Sequence, residues 1–283
     1  MSELPFLKWA GGKRWLAPRL RAIFGDTLHS RLVEPFVGSG AAFFHLRPKQ
    51  ALLADSNEEL IAAFRAVRDT PALLLQRLGS MQINKDVFDL MRDSRPRTDA
   101  NRAVRLIYLN RTAYNGLYRV NQNNKFNVPF GCKPGTKLCD PSGINGASEA
   151  LRNAAVKCQD FRETLDEVSP RGDIVYVDPP YTVKHDNNGF RRYNNRIFSW
   201  EDQEDLARIL QRLAMRGSRI IISNAHHADV RKLYSNALFH AIEVERTTCM
   251  AATSAGRGSC IEWLLVSRTI DLSRARLRRK LES

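Results

Sequence analysis

A few short, unbroken apolar runs stand out in a chain whose other apolar positions mostly recur at helical spacing. Ile174-Val-Tyr-Val177 is β-branched or aromatic at every position, and Ile220-Ile-Ile222 repeats the pattern. Such runs mark strands buried on both faces, as in the middle of a parallel sheet. Arg31 to Glu34 and Ala51 to Asp55 read as two earlier strands, and His240 to Val244 with Ile261 to Val266 as an antiparallel pair joined through Thr253 to Gly258. Helical spacing covers Trp15 to Ile23, Leu60 to Val67, Leu73 to Leu78, Val87 to Met91, Ser148 to Lys157 and Trp200 to Met215. Pro71 and the Arg95-Pro96 pair separate the helices of the first half. No buried-strand run lies between Asp55 and Ile174. The pattern predicts an α/β sheet interrupted by a mainly helical insertion.

The strand ends carry the candidate chemistry. Ile174 to Val177 leads into Asp178-Pro-Pro-Tyr181, where Pro180 forces Pro179 into an extended conformation. An elbow of this kind, presenting Asp178 and Tyr181, sits where open α/β sheets place ligands. An ordinary strand followed by a turn is an equal alternative on these residues alone. After Arg31 to Glu34 comes Phe36-Val-Gly-Ser-Gly40, in which Gly38 and Gly40 let a nucleotide-like ligand meet the next helix. Asp55 ends the following strand, where an acid typically accepts hydrogen bonds from ribose hydroxyls. The spacing fits an adenosine-type ligand and requires no pyrophosphate. Asn57 is placed to cap a helix. Asp160-Phe161 reads equally as the lining of an adenine pocket and as a turn.

At the start, Lys8-Trp-Ala-Gly-Gly-Lys13 surrounds a Gly-Gly pair with two lysines and an indole. It lacks the longer glycine-rich run of a P-loop. It reads as a surface turn or, more in keeping with its neighbours, as a binding segment in which Gly11 permits close approach.

Charge changes the picture. The 283 residues include 44 Lys+Arg against 30 Asp+Glu, a formal net charge of +14, which favours a polyanionic partner, nucleic acid before membrane. The basic residues are uneven. Asn101 to Cys139 has no acid at all, and Leu117 to Asn121 with Phe126 to Phe130 brackets an Asn-Asn turn and predicts a β-hairpin. Tyr, Asn and Arg interleaved without acids suit phosphates and base edges. The loop Thr182 to Ser199 and the tail Ser273 to Lys280 are also basic. Five scattered cysteines form no metal or disulfide pattern, His226-His227 reads as surface, and no apolar stretch is long enough for a bilayer. The first residues have no features of a secretion signal, so the cytoplasm is the expected compartment.

In this order, the motifs resemble the Dam-type DNA N6-adenine methyltransferases from Phe6 to about Val266. The match runs through Lys8-Trp-Ala-Gly-Gly-Lys13, Phe36-Val-Gly-Ser-Gly40, Asp55-Ser-Asn57, Tyr114-Asn-Gly-Leu-Tyr-Arg119, Asn127-Val-Pro-Phe-Gly131 and Asp178-Pro-Pro-Tyr181. The resemblance implies a Rossmann-like domain (1–57 and 146–270) that binds S-adenosylmethionine and releases S-adenosylhomocysteine. It further implies an inserted target-recognition domain (58–145) carrying the hairpin, followed by a basic tail (271–283).

Carried over, Trp9, Ala10, Gly11, Lys13, Phe36, Gly38, Gly40, Asp55, Asp160, Phe161 and Asp178 would hold the cofactor. Asp178, Pro179, Pro180 and Tyr181 would be catalytic. Lys8, Arg111, Tyr114, Asn115, Leu117, Arg119, Asn121, Asn127 and Pro129 would contact double-stranded DNA, with GATC as the expected target and no metal required. The resemblance further implies a prokaryotic or phage-type enzyme working as a monomer. One departure is Cys132-Lys133, standing where relatives often carry an arginine and an aromatic residue. Two other readings remain: a methyltransferase acting on RNA adenine or protein glutamine, and a DNA-binding relative without activity.

Overall fold

The computed structural model describes residues 5–9, 11–25, 29–121, 123, 125–182, 198–247 and 259–272. In chain order the elements are α1 (Ala17–Phe24), β1 (Arg31–Glu34), α2 (Ala41–Leu46), β2 (Ala51–Asp55), α3 (Glu58–Asp69), α4 (Pro71–Gly79), α5 (Lys85–Asp93), α6 (Asp99–Thr112), α7 (Pro141–Leu151), β3 (Ala154–Cys158), α8 (Phe161–Asp166), β4 (Asp173–Val177), α9 (Trp200–Met215), β5 (Arg219–Ala225), α10 (Ala228–Lys232), β6 (Phe239–Thr247) and β7 (Ser259–Ser267). The strands form one sheet in the order β3-β2-β1-β4-β5-β7-β6. It is parallel except for β7, which runs antiparallel to both of its neighbours. The fold is mixed α/β with a seven-stranded, mostly parallel sheet.

Chain order reverses between β1 and β4, which opens a crevice at the carboxyl ends of those strands. Arg31 and Asp173 pair in register where these strands begin, and their side chains make a two-pronged ion pair of 3.0 and 2.7 Å. This locks the pair in the alignment that sets the crevice.

Alternation distributes the central strands between two cores. Ile174 and Tyr176 face a large core shared with α1 to α7, while Val175 and Val177 face a second core closed by α8, α9 and α10. β4 is buried along its whole length, as its unbroken apolar run predicts. The helices of the first half share the larger core, and α3 packs directly on β2 and β3.

The pattern misplaces one strand. The predicted helix Ser148 to Lys157 is instead the end of α7 and all but the last residue of β3. Asp140 caps α7 through the Gly143 N–H and Pro141 occupies the first turn, so the helix starts within the polar Gly/Ser/Asn stretch Pro141 to Ala147 that precedes the predicted one. Ile144, Ala147 and Leu151 supply its buried stripe. β3 escapes notice because it is an edge strand, burying Ala154 and Val156 while exposing Ala155 and Cys158. Arg65 and Arg68 of α3 donate to the Val156 and Ala154 carbonyls and so cover part of that edge.

The first helix begins two residues later than predicted, at Ala17. The antiparallel pair β6 and β7 forms as expected, but Thr253 to Gly258 lies outside the described residues, as does the tail from Ser273 onward. The predicted hairpin is only partly regular. Val120 and Phe126, and Ala113 and Phe130, make single antiparallel bridges and no continuous strands. Among the described residues, no helix is long and apolar enough to cross a membrane.

Candidate active site

Three acids mark the carboxyl edge of the sheet: Glu34 ends β1, Asp55 ends β2, and Asp178 follows β4. β7 adds a fourth from the opposite direction. Because it runs antiparallel, its residue Glu262 pairs with Ala225 at the carboxyl end of β5.

Asp178, Lys13, Tyr181 and Glu262 form a tight knot. Lys13 Nζ lies 3.3 Å from Asp178 Oδ1 and 3.2 Å from Glu262 Oε2. It also sits 4.5 Å from the centre of the Tyr181 ring. The Tyr181 hydroxyl donates to Glu262 Oε2 at 2.7 Å, and Arg246 Nη1 of β6 lies 3.3 Å from Glu262 Oε1. Lys13 and Glu262 are both buried, which is sustainable because each charge faces an opposite one.

Asp178 Oδ1 is different. It is buried and near a cation, yet it accepts no aligned hydrogen bond. Burial pushes the Asp178 carboxyl up to about 7, with Lys13 opposing the rise and Glu262 adding to it. Burial likewise raises Glu34 to about 8, against a Phe43 N–H that favours its ionised form.

The glycine-rich turn sits beside Asp55. The carboxylate accepts the Gly38 N–H at 3.2 Å and the Asn57 N–H at 3.0 Å, which ties the tip of β2 to the turn after β1. Gly38 and Gly40 have φ of 50° and 69°. A side chain on Gly38 would come within 3.3 Å of the Trp9 indole, and one on Gly40 would press on Phe44 and Phe64. Phe36 stacks on Phe161 at 5.4 Å, and Phe198 meets both rings edge-on. The expected pocket residues Trp9, Gly38 and Asp55 are thus assembled, with Phe36 and Phe161 forming an aromatic group. Asp160 is already engaged, since it caps α8 and pairs with Arg162. Gly11 takes a φ of 79° with open space around it, and Ala10 lies outside the described residues.

The Lys8 segment and the stretch Tyr114 to Pro129 meet. Lys8 donates its N–H to Asn110 Oδ1, and Asn110 Nδ2 donates to the carbonyls of Lys8 and Gly116. Gly116, with φ of 66°, passes so close that a side chain there would strike Lys8. Tyr114 is exposed, its N–H held by the Pro129 carbonyl, and the bare Gly131 lies against it. Asn115 is exposed at a φ of 55°, and Leu117 is half-buried.

Arg119 donates to the Asn127 side chain at 2.8 Å and to its carbonyl. Asn121 Oδ1 accepts two backbone N–H groups of the turn, so this side chain shapes the loop. Arg111 is turned inward onto the Phe6 carbonyl, where burial lowers its pKa. The sequence reading missed Asn110, Tyr118, Phe198 and Glu262. Tyr118 stacks on Trp9 at 5.2 Å. Only its position between Leu117 and Arg119 marked it, whereas nothing local marks a glutamate in the middle of an apolar strand.

A family model described as the D12 class N6 adenine-specific DNA methyltransferases matches residues 9–250. The chain belongs to this family. Relatives include a Type II methyltransferase, M1.LlaDCHI, of Lactococcus lactis subsp. cremoris, 36% identical over 93% of this chain and 95% of that protein. A DNA adenine methylase of Serratia marcescens is 33% identical over 93% of this chain and 98% of its own length. The Escherichia coli K12 DNA adenine methylase is 31% identical over 86% and 88%. The protein is therefore an adenine-specific DNA methyltransferase, and its DNA substrate follows from the family.

Proposed function

We propose that this methyltransferase transfers a methyl group from S-adenosylmethionine to adenine N6 within GATC, on a base flipped out of duplex DNA. The observation that carries the chemistry is the buried Asp178 Oδ1 at the carboxyl edge of β4, an acceptor that has the Lys13 ammonium 3.3 Å away but no aligned hydrogen bond. The residues present suit the cofactor. Asp55 at the tip of β2 is placed for ribose hydroxyls, while Gly38 and Gly40 leave room for close approach. Trp9 and the stacked Phe36 and Phe161 offer aromatic faces, and Lys13 lies beside Asp178. When bound, S-adenosylmethionine supplies a methyl group activated on a sulfonium.

The chain's own residues prepare the acceptor. An adenine N6 amino group is a poor nucleophile because its lone pair is delocalised into the ring. Asp178 and the Pro179 carbonyl each accept one N6 hydrogen and draw the nitrogen towards tetrahedral geometry. Pro180 holds Pro179 extended, which fixes the carbonyl. Tyr181 provides the ring on which the flipped base stacks. The proton released from N6 after transfer passes to Asp178, whose raised pKa suits it to receive one. No Pro-Cys nucleophile is present in the sequence for a cytosine C5 route.

Target reading is assigned to Lys8, Tyr114, Asn115, Leu117, Arg119, Asn127 and Pro129, with Tyr114 filling the gap left by the flipped base. Asn110 supports this by joining the Lys8 backbone to the Gly116 turn. The catalytic part (1–57 and 146–270), of Rossmann-like type, and the recognition part (58–145) differ in task but share a core through α3. Arg111 and Asn121 act on the shape of the recognition part.

The test is transfer of labelled methyl from S-adenosylmethionine to two duplexes, one with GATC and one with that site scrambled. Label on the first alone, recovered as N6-methyladenine, is the expected result. Label on both would overturn the target, and label on neither would overturn the proposed reaction on duplex DNA.

A further inference from the structure

Glu262 meets three partners at the edge and has no part in the chemistry above. It is buried on β7, the antiparallel strand, and reaches the catalytic edge only because that strand runs against its neighbours. Oε2 accepts the Tyr181 hydroxyl at 2.7 Å and lies 3.2 Å from Lys13 Nζ. Oε1 lies 3.3 Å from Arg246 Nη1. Its partners come from three separate places: the segment before α1, the elbow after β4, and β6.

We propose that Glu262 is a positioning residue for methyl transfer, fixing the Tyr181 ring through its hydroxyl and sharing Lys13 with Asp178. This rests on the assignment of Asp178 and Tyr181 to the reaction. A stacking ring held only by its own backbone could swing about the bond that joins it to the chain. A hydroxyl tied to a buried carboxylate fixes the ring plane before the base arrives, which lowers the ordering cost of the reactive complex.

The sharing of Lys13 matters in another way. A lysine given wholly to Asp178 would occupy the acceptor that N6 needs. Glu262 holds the same ammonium at 3.2 Å, against 3.3 Å to Asp178 Oδ1, so Lys13 is shared and Asp178 keeps a buried oxygen with no aligned hydrogen bond.

The charged and titratable groups around Asp178 can be named from every side. Lys13 faces it from the N-terminal segment, Glu34 from β1, Tyr176 from within β4, and Tyr181 from the elbow. Arg246 faces it from β6 and Glu262 from β7. Removing the Glu262 charge takes away a repelling neighbour and frees both Lys13 and Arg246 to favour ionised Asp178. All three effects lower the pKa of Asp178.

The experiment measures kcat/KM for methyl transfer against pH, using the full-length protein and a GATC duplex. Glu262→Gln keeps an amide oxygen for the Tyr181 hydroxyl, removes the charge and puts an NH2 where Oε1 faces Arg246. It should move the acid limb about one pH unit lower, with KM for DNA held within about twofold. Tyr181→Phe keeps the ring and loses the anchor, so it should lower kcat several-fold and leave the limb in place.

Glu262→Asp guards against a Gln variant that fails to fold. It retains the charge, should keep the wild-type limb, and should lose kcat in the same way as Tyr181→Phe, with no further loss when the two are combined. An acid limb of folded Glu262→Gln that superimposes on wild type would overturn the proposal, as would additive losses in the double variant. Asp178→Asn is measured alongside. If it turns over normally, the assignment of Asp178 fails and this inference with it. If it is inactive while the Glu262→Gln limb stays put, only the role of Glu262 fails.

Discussion

The edge proposed to be catalytic and the stretch proposed to read DNA are built on opposite principles. At the edge, charges are buried against one another, and one oxygen of Asp178 is left without an aligned hydrogen bond. Lys13 and Glu262 are almost sealed from water, and each partner limits where the next can go. In the recognition stretch, Tyr114, Asn115 and Arg119 are exposed, and the chain is held by single bridges and backbone hydrogen bonds. Chemistry on a fixed atom needs groups that cannot move, and a low-dielectric surround strengthens each charge contact. Reading a groove needs side chains that water can reach until DNA replaces it. Asn110 connects the two by bridging the start of the chain to the Gly116 turn.

The largest expected break in this comparison is at the edge. Asp178→Asn keeps the size of the side chain but makes it a poor acceptor, and transfer should fall by about a hundredfold to a thousandfold. Affinity for duplex DNA should stay near wild type, as measured by fluorescence anisotropy. A second change strikes the link between the regions. Asn110→Ala would leave the Lys8 N–H and two carbonyls without their partner, a loss of roughly 3 kcal/mol in denaturant unfolding. It should also narrow the preference for the cognate duplex.

A smaller effect concerns pH. In the proposed reaction Asp178 must be ionised to accept an N6 hydrogen, so kcat/KM should decline as pH falls through about 7. Stability should move the other way. A carboxyl raised above its unfolded value contributes most to stability in acid, and that contribution is lost as pH rises through about 7. Thermal unfolding followed alongside activity from pH 5.5 to 8.5 would check both signs.

Much of this division can be read in the sequence, for a physical reason. The buried strand before Asp178, the turn around Gly38 and the acid Asp55 are local patterns, since each follows from the period of a strand or the conformational freedom of glycine. What the sequence hid depends on pairing between distant segments. β3 is an edge strand whose alternation is too short to separate from a helix, and its carbonyls are partly covered by arginines of α3. Glu262 looks like one polar residue within an apolar strand, and only antiparallel pairing with β5 brings it to the site. Arg111 was grouped with the basic residues of its stretch, yet the path of α6 turns it inward to the Phe6 carbonyl.

The claim that one region reacts while the other chooses is tested most directly by Arg119→Ala. The measurement is its single-turnover methyl-transfer rate on a GATC duplex and on a duplex with one base of the site changed. The account predicts a cognate rate within a few-fold of wild type and a ratio between the two duplexes reduced by about tenfold or more, the value of a lost base contact. Equal loss on both duplexes, with the ratio unchanged, would contradict it and reduce Arg119 to a phosphate contact.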